Sequence, residues 1–191
     1  MMVEYGYIGG SNLISLGSRE YVQSFFKAID KYVFNEELYR RLDWSLITDR
    51  LYRRTISDDA LDQTLGVMAR LMDAFSETPL SAVDWDALGI AKPDPMPLSH
   101  TEHEASLRDL YLHFAFGLAG CASSAKIHAL EYSPMPPLRI GLTTVPQYIV
   151  DGRRPVEAYE ALCPNDLPFW LRDDIDYPEI PVVVMDGNNP E

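Results

Sequence analysis

Residues Leu107 to Cys121 read LRDLYLHFAFGLAGC, with Leu107, Leu110, Tyr111, Phe114, Leu118 and Cys121 at the three- and four-residue spacing of a helix. Apolar side chains fall on so many sides of this helix that it is expected to be the central one. The nearly uncharged run Leu110–Ala125 contains His113 and several small residues, and it is shorter than a bilayer span. Ala125 to Tyr132 either extends the helix or forms a short one of its own, and Pro134, Pro136 and Pro137 end it.

Upstream, Val3 to Ile8 reads as a short strand closed by the turn cluster Gly9-Gly10-Ser11-Asn12. Ser18 is the expected N-cap of a helix whose apolar residues are Val22, Phe25, Phe26, Ile29, Tyr32 and Val33. A second helix is expected over Trp44 to Arg53. A third is capped by Ser57, with Asp58 and Asp59 favouring its positive end and Leu61, Leu65, Met68, Met72 and Phe75 along its buried stripe. Thr78 to His100 reads as a loop or surface crossing, since Pro79, Pro93, Pro95 and Pro97 fit neither helix interiors nor central strands. Downstream, Leu138–Leu142 and Pro181–Met185 read as short strands around a helical stretch at Val156–Leu162. A strand, several helices and then late strands predict an α+β fold, helix-dominated, with a few short strands. The 191 residues suit a single domain, 1–191, with a sizeable core.

The chain carries a formal net charge of -13. Such a field repels nucleic-acid phosphates and anionic headgroups and attracts basic proteins, so neither nucleic acid nor membrane is an expected partner. The imbalance peaks from Val156 to Glu191, where Glu157, Glu160, Asp166, Asp173, Asp174, Asp176, Glu179, Asp186 and Glu191 face a single base, Arg172. With only Cys121 and Cys163, a disulfide framework is not expected and a reducing compartment is. No Lys or Arg precedes the first apolar stretch, as a secretory signal would require, so a cytoplasmic location is expected.

Chemical motifs are sparse. His100-x-x-His103, flanked by Glu102 and Glu104, has a metal-like spacing, but it follows Pro97 and reads as an exposed polar helix start. Asp173-Asp174-x-Asp176 lacks the glycine and closing glutamate of a calcium loop, and it reads as a solvated acidic loop. Gly6-x-x-Gly9-Gly10 lacks the full dinucleotide-binding pattern. No nucleophile elbow is present, and Cys121 reads as a small core residue rather than a thiolate. Arg40, Arg41, Arg50, Arg53 and Arg54 are interleaved with Asp43 and Asp49, as intramolecular ion pairing would place them. No catalytic residue, metal or cofactor is therefore expected.

From Gly17 to Asp86 a longer pattern runs: Gly17-Ser18 before a helix with Ser24-Phe25-Phe26-x-x-Ile29, then Leu51-Tyr52 closing a second helix. Ala60-Leu61 and Leu65 follow in an acid-capped helix, and Val83-Asp84-Trp85-Asp86 leads into the Pro-rich loop. This pattern resembles a family of small immunity proteins of bacterial polymorphic toxin systems, contact-dependent or secreted. The resemblance implies a protein that binds and neutralises a cognate toxin and performs no reaction. It designates no binding residue. Each matched residue also has a packing role: Phe25, Phe26 and Ile29 facing the core, Trp85 as a buried anchor, Asp84 as a turn cap.

The charge independently favours a basic protein partner, which under the resemblance is a toxin with a basic surface. Asp173, Asp174, Asp176 and Glu179 are the expected partner-facing rim, with Trp170, Phe169 or Tyr177 as apolar anchor. Two other classes compete with this expectation. One is a metal-dependent hydrolase using the acidic loop Asp173–Asp176 with His100 or His103, and the other an acidic secretion adaptor or chaperone holding a basic client.

Overall fold

A computed structural model describes residues 4–10, 12–34, 42–53, 55–131, 140–144, 168 and 171. The chain opens with a hairpin of β1 (Glu4–Gly9) and β2 (Asn12–Ser18). β4 (Ile140–Thr144) pairs antiparallel with β1 on its other side, and the two-residue β3 (Thr55–Ile56) pairs antiparallel with β4. The sheet order is thus β2-β1-β4-β3. With three helices of fourteen residues or more, described next, this is the expected α+β architecture.

Helix α1 (Arg19–Tyr32) starts where Ser18, in an extended conformation, accepts a hydrogen bond from the Tyr21 N–H at 3.3 Å. A cap of this kind contributes about 1 kcal/mol. A short π-helical segment, Leu46–Leu51, stands where a second helix was expected, with Leu46, Ile47 and Leu51 buried. α2 (Asp58–Ser76) follows Ser57, which sits at the N-cap position but turns its hydroxyl to the Asp59 carboxylate instead of the helix backbone. The Pro-rich crossing holds two ordered pieces, a 3-10 turn at Leu80–Ala82 and a one-turn α3 (Trp85–Leu88). Asp84 caps α3 through the Ala87 N–H at 3.1 Å, while Lys31 at 2.6 Å holds its carboxyl below the usual range. Trp85 is half-buried against the rim of the core, not the buried anchor expected.

α4 (Leu107–Glu131) absorbs the stretch from Ala125 as a continuous extension. It packs against α2 on one side and across β1 and β2 on the other. Phe25 of α1 stacks on Phe114 of α4, with centroids 4.2 Å apart and planes 12° apart, and Tyr111 meets both Phe25 and Phe75 of α2. Aromatic pairs of this kind are each worth about 0.5–1.5 kcal/mol beyond their burial, and here they join three helices. Leu171 is buried in the same core.

Although α4 packs on two flanks, it leaves apolar residues uncovered: Phe116 is 66% exposed, Ile127 50% and Leu130 83%.

Candidate interface on helix α4 and the edge of the sheet

Along α4, Leu112, Phe116, Ala119, Ser123, Ile127 and Leu130 recur every three or four residues and so share one side of the helix. Leu112 is half-buried and the other five are exposed. The opposite side, with Phe114, Leu118, Cys121 and Ala125, is fully buried. Exposed apolar residues repeating along one helix side make a candidate contact surface.

Strand β2 lies against one flank of this stripe because glycines let it. A Cβ on Gly120 would come within 2.9 Å of Ile14 Cδ1, and one on Gly117 within 3.3 Å of Ile14 Cγ2. Asn12 Nδ2 donates to the Gly120 carbonyl at 3.4 Å, and His113 Nε2 lies 3.4 Å from the Leu16 carbonyl. Increasing number along β2 therefore matches decreasing number along α4, and Phe116 stands at the level of Ile14 to Leu16. At the far end Gly10, with φ +56°, passes so close to Ser124 that a Cβ would fall 2.6 Å from its backbone. Among the described residues no strand pairs with the outer side of β2.

His113 stacks on Tyr21 with planes 13° apart, and burial lowers its pKa. Cys121 is a buried free thiol pushed up to about 12 by burial, its Sγ 3.5 Å from the Tyr7 carbonyl, as a core residue. Tyr7, whose ring packs edge-on to Phe114, is fully buried and its hydroxyl has no hydrogen-bond partner among the described residues.

His100 and His103 are exposed in the loop before α4, not in its first turn. What organises that loop is Asp109. Its carboxylate accepts from the backbone N–H of His100 at 3.0 Å and of Ser106 at 2.8 Å. Burial opposes its ionisation, but these N–H groups win and hold its pKa low. Among the described residues no group of three or more His, Cys, Asp or Glu stands close enough to hold a metal ion. Gly6 and Gly9 lie within β1 and form no phosphate-binding turn. Arg53 pairs with Asp49 at 3.5 Å, as the interleaved charges suggested.

The tail residues proposed from sequence, Trp170, Asp173, Asp174, Asp176, Tyr177 and Glu179, lie outside the described residues, as do Phe169, Cys163, Val156–Leu162 and Pro181–Met185. Sequence periodicity marks the core-facing residues of α4 from Leu107 to Cys121 and assigns nothing to Phe116, Ile127 and Leu130. The signal was present, since these apolar residues fall off that spacing, on another side of the helix. Among the described residues no helix is long and apolar enough to cross a membrane. Compared with known proteins, the chain matches no family model, no curated protein and no solved structure.

Proposed function

We propose that this chain is a non-catalytic immunity protein that binds and neutralises a cognate bacterial toxin domain in the cytoplasm. The observation that carries the reading is the exposed apolar stripe of α4, with Phe116, Ile127 and Leu130 uncovered on a molecule of net charge -13. Apolar anchors supply affinity at protein interfaces, and a surrounding negative field steers a basic partner into encounter. Asp173, Asp174, Asp176 and Glu179, with Trp170 and Tyr177, are the partner-facing acidic rim in the same proposal, on the strength of their charge and composition alone. The resemblance of residues 17–86 to toxin-immunity proteins supports the same reading.

Co-expression with the toxin-like reading frame beside its gene tests the proposal. Growth should be restored and the two proteins should purify as one complex. Killing that continues at equal expression would overturn the reading, and a toxin acting only in the periplasm would remove the cytoplasmic assignment.

A further inference from the structure

The edge strand β2 is unusual for what it lacks. Proteins blunt exposed sheet edges with charge, proline or cover, because open N–H and C=O groups recruit further strands. Asn12–Ser18 reads NLISLGS, with no charged residue and no proline. Among the described residues the one blunting device is a bulge, where the register shifts opposite Tyr5 and Gly6 and Gly17 takes φ +119°. That leaves Asn12 to Ser15 in regular register, beside Phe116.

We propose that the outer edge of β2 receives an extended, cationic segment of a partner protein as an added strand, with Phe116 covering the partner's apolar side chains. The proposal rests on the protein-binding reading above and names how that binding is made. Backbone hydrogen bonds supply the fit of an added strand, and alternate side chains its selectivity. Charge complementarity decides the partner's sign. Glu4, opposite Ser18 on β1, accepts from Ser15 Oγ at 2.7 Å, and Glu20, in the first turn of α1, is held ionised by its own backbone N–H and the Ser18 hydroxyl. Both carboxylates border the strand, while Lys126 of α4 is neutralised by Asp62. A strand with lysine or arginine at alternate positions meets these two carboxylates here, while Arg19, between them in sequence, is turned onto Tyr5, its guanidinium nitrogens 3.1 and 3.2 Å from the hydroxyl.

Amide hydrogen exchange on the full chain tests this, using a short synthetic peptide of alternating valine and lysine as the probe. Exchange at the outward amides of Asn12–Ser15 should slow about tenfold at a peptide concentration ten times its Kd. Ser15→Lys, which leaves Glu4 a partner and so preserves the fold, should weaken binding about tenfold by like-charge repulsion. Phe116→Ser, at a site outside the core, should weaken it by a similar factor of about ten. Unchanged β2 exchange at a peptide concentration of about 1 mM would overturn the proposal. So would equal binding of a valine–glutamate peptide, or protection that rises with protein concentration alone, which would make a second copy the occupant. A chain that neutralises its toxin while β2 stays unprotected in that complex keeps the protein-binding reading and rejects the strand. Peptide docking on β2 in a chain that neutralises nothing does the reverse.

Discussion

Tyr7 and Tyr111 sit in one core with opposite hydrogen-bond standing. Tyr111 shares a 2.8 Å bond with Ser24 Oγ, which itself donates to the Tyr21 carbonyl at 2.7 Å, so Tyr111 is the donor of the pair. Removing that hydroxyl in Tyr111→Phe should cost about 0.5–1.5 kcal/mol. Tyr7→Phe removes a buried group with no partner among the described residues, and urea unfolding should show equal or greater stability. A clear loss for Tyr7→Phe would mean that its hydroxyl is bonded in solution. His113 adds a pH dependence. Its folded pKa is lowered from 6.5, chiefly by burial, so the unfolded chain binds the proton more readily. Stability from this group is complete above pH 6.5 and falls as pH drops through the folded value. His113→Gln should flatten the pH dependence of Tm just below that point, before the carboxylates titrate.

Glycines set the spacing between α4 and the hairpin, and each element tolerates a side chain differently. A Cβ on Gly9 would lie 2.7 Å from the Cys121 carbonyl oxygen and 2.9 Å from Cys121 Cβ, so Gly9→Ala should push α4 off β1 and lower Tm. Gly66, exposed in the middle of α2, meets nothing within 4 Å, and Gly66→Ala should stabilise by about 0.5–1 kcal/mol. Thermal unfolding of the pair checks both signs. The helices were readable because 3.6-residue periodicity and caps are local: Ser18 caps α1 as its sequence position suggests. β2 was not readable, because Leu13 to Leu16 is too short an apolar run to mark a strand until β1 is known to pair with it. The exposed side of α4 was hidden for a related reason. A helix apolar on many sides shows how much surface needs covering but not which neighbours cover it.

For the molecule as a whole, charge and apolar surface make separable contributions to binding. Association with a basic partner should slow as salt rises, because a field of net charge -13 is screened over a Debye length of about 8 Å at physiological ionic strength. Charge reversal at Asp173 and Asp174 should slow association and flatten its salt dependence, whereas Phe116→Ser should act mainly on dissociation. Stopped-flow association at several salt concentrations separates the two. An unchanged association rate in the charge-reversed variant would move the steering surface elsewhere. Charge was the one property of the proposed binding surface plain from composition. Its geometry was not, since it depends on how close α4 lies to β2.

The order β2-β1-β4-β3 places the last described strand against the first. Tyr5 to Ile8 pair with Thr144 to Gly141, so the middle of the sheet waits for residues made long after its first hairpin. Until Ile140–Thr144 leaves the ribosome, β1 has an open side carrying Tyr5, Tyr7 and Ile8, all buried in the finished molecule. Contacts this distant in sequence close slowly, and an open apolar strand is prone to aggregate meanwhile. Nascent chains stalled before Ile140 should therefore bind chaperones and be cut readily by protease, and those extending past Thr144 should gain protection in a single step.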